Sequence, residues 1–171
     1  MDFDIWYSLA SGVIGALVGG IIPFTIYLLN HRRKTAEMKI KSLAELAKIR
    51  ENMAFQLAEI RYSISKQKEG SSQDLRLFLT HVVPKERNNL YHYSTLVDEK
   101  TMNRTAEYIN SVFEFIKNNT QKIGHLEGIY LILDSLESYT ESYGEYLDKK
   151  IYEQYVRFVK KYSGKGKEPS I

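Results

Sequence analysis

From Ile5 to Leu29 the chain runs for 25 residues without an Asp, Glu, Lys, Arg or His, then turns abruptly basic in "HRRK" at 31–34. No other feature narrows the possible folds as much. A helix of that length rises about 37 Å at ~1.5 Å per residue, more than the roughly 30 Å of a bilayer's hydrocarbon core. A core helix of a globular domain would break the run with polar positions on its outer face. A cleaved leader would open on basic residues, whereas this chain opens "MDFD". Residues 5–30 are therefore expected to form a transmembrane helix, with Trp6, Tyr7 and Tyr27 at the interfaces and tilt or a kink near Pro23 taking up the excess. The positive-inside rule sets residues 1–4 on the non-cytoplasmic side and the C-terminus in the cytoplasm. This places the chain in the cell membrane as a single-pass protein.

The apolar run is rich in small residues. Ser8, Gly12, Ala16 and Gly20 recur every fourth position, and Ser11, Gly15 and Gly19 form a second row beside them. On a helix these rows make one flat face that admits another helix closely, so a homo-oligomer is expected through it. The plainer account is that glycine is simply common in membrane helices.

Beyond the run the pattern is helical throughout. Leu43, Leu46, Ile49, Met53, Leu57, Ile60 and Ile64 fall at spacings of three and four, and "EGSSQD" after Lys68 supplies a stop. A second helix is expected from about Ser72 into "VVPKER", broken or kinked at Pro84. A third covers about Asp98 to Asn118, capped by Asp98, with Met102, Ala106, Ile109, Phe113 and Ile116 on its apolar face. The last runs from near Thr120 to Tyr162 on Ile129, Ile132, Leu136, Tyr139, Tyr143 and Tyr146, continued after a slip by Ile151, Tyr155, Phe158 and Tyr162. "LTHVVP" is the one weak strand candidate. The fold class is all-α: the N-terminal helix, a bundle of about four helices over 31–163, and a flexible basic tail at 164–171. Seven of the 13 tyrosines lie on the last helix, five of them on its stripe, where rings fill a core and hydroxyls reach its rim.

The catalytic inventory is thin. With no cysteine, thiol catalysis, disulfides and cysteine-bound metals are excluded. His31, His81, His92 and His125 are far apart, and no metalloprotease motif, phosphate-binding glycine loop or nucleophile elbow is present. The row Asp134, Glu137, Glu141, Glu145 and Asp148 reads as a solvated face, with binding of a divalent cation or of a basic partner as the alternatives. The chain is accordingly read as a non-enzyme without metal or cofactor.

Charge is segregated rather than large. The net charge is −2 over 1–30, +5 over 31–50, −5 over 51–148 and +5 over 149–171. If the bundle holds an even number of helices, its last helix returns to the end from which the first departed. Arg32, Arg33, Lys34, Lys39 and Lys41 then lie near Lys149, Lys150, Arg157, Lys160, Lys161, Lys165 and Lys167, forming one lipid-binding surface for anionic headgroups. An odd number would separate them and leave the tail for nucleic acid or an acidic protein. Direct nucleic-acid binding is not the preferred reading.

In layout ("GVIGALVGG", then "HRRK", then "KKYSGKGK") the chain resembles single-span membrane effectors of prokaryotic antiviral systems, those associated with short Argonautes in particular. The resemblance implies a toxin-like effector that a cytosolic sensor partner activates to perturb the membrane. The alternative is a scaffold that tethers a cytosolic protein partner without disturbing the bilayer.

Overall fold

The computed structural model describes the backbone of residues 3–66 and 71–162, with side chains from Gly19 onward, Ser71 and Gly124 apart. Every regular element among the described residues is helical. In chain order these are α1 (Phe3–Ser65), α2 (Ser71–Leu77), a π-helical turn (Phe78–Val82), α3 (Val83–Thr95), α4 (Glu99–Asn119), a 3₁₀ turn (Thr120–Gly124) and α5 (Leu126–Tyr162). The chain divides into two compact units, Met1–Glu37 and Met38–Ile171.

The first unit corrects the transmembrane expectation. Among the described residues no helix is long and apolar enough to cross a membrane. Described side chains begin at Gly19, and their apolar stretch ends at Leu29, about 16 Å of helix against the roughly 30 Å needed. Arg32, Arg33 and Lys34 follow at once. The side chains of the rest of the expected span, those of Ser8, Ser11, Gly12, Gly15 and Ala16 among them, lie outside the described residues. The single-pass placement in the cell membrane and the cytoplasmic C-terminus rested on that span and are withdrawn with it. At Gly19 and Gly20, the described members of the small-residue rows, an added Cβ would meet open space, with no other part of the described chain within 4 Å. Ile21, Ile22, Phe24, Ile26, Tyr27 and Leu29 are all exposed. The helix continues through Pro23, and nearby the Thr25 hydroxyl donates to the Ile21 carbonyl at 2.7 Å.

The second unit is a bundle of four helical arms, as expected. The inward face of α1 is the one its periodicity marks: Leu43, Leu46, Ile49, Met53, Leu57, Ile60 and Ile64 are buried. The second arm joins α2, the π turn and α3. Pro84 has no N–H to give, and its ring would strike the Thr80 carbonyl in a regular helix. The chain widens there by one residue, so that the Val83 N–H reaches the Phe78 carbonyl, a bond from i+5 to i. The strand candidate "LTHVVP" is thus a helical expansion forced by a proline.

Asp98 caps α4 as expected, its Oδ1 accepting from the Thr101 N–H at 2.8 Å. The buried face of α4, however, is turned by about one residue from the expected one. Thr101, Thr105, Tyr108, Ile109 and Val112 point inward, while Met102, Ala106 and Phe113 are only half-buried. The arms alternate in direction. Thr101 pairs with Tyr146 and Thr105 with Tyr143, so α4 and α5 are antiparallel. Arg50 meets the Thr140 carbonyl and Arg61 meets Glu137, so α1 and α5 are antiparallel as well.

Candidate functional site

Between α4 and α5 the bundle is held by hydroxyls, and the direction of each bond follows from counting protons. The Thr105 hydroxyl donates to the Thr101 carbonyl at 2.7 Å, so it accepts from the Tyr143 phenol at 2.8 Å. The Thr101 hydroxyl donates to Asp98 at 2.8 Å and accepts from Tyr146 at 3.1 Å. The Thr140 hydroxyl donates to the Leu136 carbonyl at 2.7 Å and accepts from Tyr108 at 3.3 Å. A threonine hydroxyl has one proton, and here each is committed to its own helix. The rings stack too: Tyr108 lies on Tyr143 with centroids 4.5 Å apart and planes within 4°. Burial pushes both phenols above their usual value, so neither acts as a base near neutral pH. The Tyr143 hydroxyl does not reach a rim, as expected of the stripe, but ends inside the bundle. No described buried side-chain nitrogen or oxygen lacks a partner.

This ladder ends at a charged node. Asp98 Oδ2 accepts from Lys150 at 2.9 Å, with the Lys150 side chain 11% exposed and that of Asp98 30%. Burial alone would raise the Asp98 carboxyl, but hydrogen bonds from Lys150 and from the Thr101 N–H and hydroxyl outweigh it. The carboxyl is held below its ordinary 3.8. A group whose value is lower folded than unfolded stabilises above the unfolded value, and that contribution is lost as pH falls through the folded one. The stability advantage of the native chain over Asp98→Asn is therefore expected to be complete at pH 6 and to close below the ordinary value of 3.8. Denaturant melts across that range test this; an advantage unchanged at the acid end would refute it.

The node marks one end of the bundle. The antiparallel register of α1 and α5 brings Lys39, Lys41 and Lys48 to the end where α5 presents Lys149 and Lys150 and continues through Arg157, Lys160 and Lys161. Lys41, Lys48, Lys149, Arg157, Lys160 and Lys161 are exposed, and Lys39 is half-buried. An open groove of about 600 Å3 beside the node is lined by Lys100, Arg104, Lys149 and Lys150 but also by Glu99, Glu107 and Glu153. Its charges nearly cancel, so the cationic character lies outside it, along α1 and α5. Arg32, Arg33 and Lys34 belong to the first unit and are exposed, Arg33 pairing with Glu37 at 3.0 Å. Lys165 and Lys167 lie outside the described residues.

The acidic row is a solvated face over most of its length, with Asp134, Glu141, Glu145 and Asp148 exposed and Glu137 half-buried, and it has a second use. Arg61 of α1 reaches across to it, bonding Glu137 at 2.8 Å and also Asp134. Two of the row's five carboxylates thus fasten α1 to α5. Among the described residues no group of three or more His, Asp or Glu side chains is arranged to hold a metal ion. Arg50 makes the second fastening, and its guanidinium lies over Gly144, where any larger side chain would displace it. The helical periodicity did not single out Arg50 or Arg61. Their only signal is an arginine flanking the apolar stripe of α1, opposite a carboxylate row on another helix.

No protein-family model, curated protein or solved structure matches this chain.

Proposed function

We propose that the chain is a non-catalytic helical module that docks the basic end of its bundle on an anionic lipid surface. The observation that carries this reading is the even number of arms. With alternating directions, Lys39, Lys41 and Lys48 of α1 share one end of the second unit with the cations of α5 instead of standing at the opposite pole. Each Lys or Arg near an anionic leaflet contributes about 1 kcal/mol, and the effect fades within a Debye length, so a shared end binds where separated clusters would not.

The test uses the full chain with vesicles of neutral lipid, or of neutral lipid containing an anionic fraction, across a salt series. A variant carries Lys149→Gln, Arg157→Gln, Lys160→Gln and Lys161→Gln, all at exposed positions. Binding is expected to need anionic lipid, to fall with salt, and to weaken at least about tenfold in the variant. Absence of binding at low salt refutes the reading, and binding to nucleic acid instead would reassign the cations. Dye release from the same vesicles separates two forms of the proposal. Leakage favours the effector that the resemblance implies, and intact vesicles favour the tethering scaffold.

A further inference from the structure

The opposite character appears at the other described surface of the second unit. Between the C-terminal part of α1 and α2 runs an open groove of about 680 Å3. Its floor is apolar, formed by Ile60, Phe78 and Val82, and its walls are Phe55 and Leu77, which are 64% and 48% exposed. Among the described residues, its only charged lining is Glu59 and Asp74. Both are exposed, and neither makes a described ion pair. An exposed apolar cleft with an acidic edge is matched by a helix that is apolar along one stripe and basic at one end.

The chain itself carries such a helix. In the first unit, Ile22, Ile26 and Leu29 stand at i, i+4 and i+7, all more than half exposed. These are the anchor spacings of a helix lying in a groove. The stripe runs on into Arg32, Arg33 and Lys34, of which only Arg33 has a described acidic partner, the half-buried Glu37. We infer that residues 21–34 of one copy dock in the Phe55–Leu77 groove of a second copy, with Arg32–Lys34 against Glu59 and Asp74. This contact is independent of the lipid reading, since it uses none of the cations of α5. Reciprocal exchange closes at two copies, and one-way exchange extends further.

The absence of cysteine makes the test clean. Two full-length variants, Ile26→Cys and a mass-tagged Leu77→Cys, are mixed and treated with a short bis-maleimide. Linkage between the two different chains is expected. It should weaken at least about fivefold when the groove copy also carries Glu59→Lys and Asp74→Lys, as for loss of exposed but specific charge pairs. It should recover when the other copy carries Arg32→Glu, Arg33→Glu and Lys34→Glu. Such recovery excludes simple misfolding. The four-glutamine variant of the basic end should link as well as the native chain, which keeps this result separate from the vesicle experiment. Three results overturn the inference: linkage of Ile26→Cys only to itself, a monomer at the highest soluble concentration, or vesicle binding by Ile22, Ile26 and Leu29 in an unlinked chain.

Discussion

Tyr143→Ala is expected to destabilise the bundle by about 3–5 kcal/mol, the range for deleting a buried aromatic ring. The ring is 1% exposed and lies between Tyr108, at 4.5 Å, and Tyr146, at 6.4 Å. Its removal opens a cavity and ends both stacks. It also takes away the donor to Thr105, whose own proton stays on the Thr101 carbonyl, so the hydroxyl's remaining lone pairs are left unmet in a buried place. Tyr143→Phe separates the two effects. It keeps the ring and removes only the donor, so a loss of about 1–2 kcal/mol is expected. Urea unfolding of the two variants checks the order. Equal losses would show that the hydroxyl, not the ring, carries the interaction.

Gly128→Ala is expected to destabilise by about 1–3 kcal/mol, against the sign of helix propensity. Alanine in place of glycine within a helix normally gains about 1 kcal/mol. Here the first turn of α5 crosses the 3₁₀ turn so closely that a new Cβ would overlap the Lys122 carbonyl and stand 2.8 Å from the Lys122 Cβ. Backbone cannot swing aside as a flexible side chain does, so the turn must move, and with it the Ile123 side chain, now 3% exposed. Gly144→Ala is the internal comparison. Its clash is with the mobile guanidinium of Arg50, so a smaller loss is expected, confined to the Arg50–Thr140 bond. Thermal melts of both variants decide the matter. A Gly144→Ala loss larger than that of Gly128→Ala would overturn the argument.

How far the fold could be read in advance depended on what held each face. The stripe of α1 is made of Leu, Ile and Met, and hydropathy identified each of the buried apolar residues of that helix, though not the buried Ser42. The cap at Asp98 was equally plain, because a short acidic side chain before a helical run satisfies orphan N–H groups. The face of α4 was misplaced because Thr101 and Thr105 are scored as polar. Their hydroxyls bond the preceding turn or the cap, and they then pack as small branched residues with an acceptor to spare. Hydropathy has no term for a tyrosine that will supply the missing donor. The outer part of α5 failed in the other direction: Tyr155 continues the stripe by spacing but is 48% exposed. The π turn was written in Pro84, yet a proline after an apolar run marks a break without saying which kind. At the candidate site, the cations were visible as charge blocks. Their convergence depended on the number of arms, and the partners of Arg50 and Arg61 on which arms are neighbours.

The threonine–tyrosine pairs also act as a vernier. A seam of leucines tolerates one helix sliding past another, since any leucine fills any neighbour's hollow about as well. Here a slide of one turn, about 5.4 Å, would strand Tyr146 and part Asp98 from Lys150. Intermediate offsets would leave buried hydroxyls without mates. Only one alignment of α4 against α5 is free of such defects. A pull on either helix is therefore passed along as displacement of the whole bundle, not absorbed by slippage at the seam.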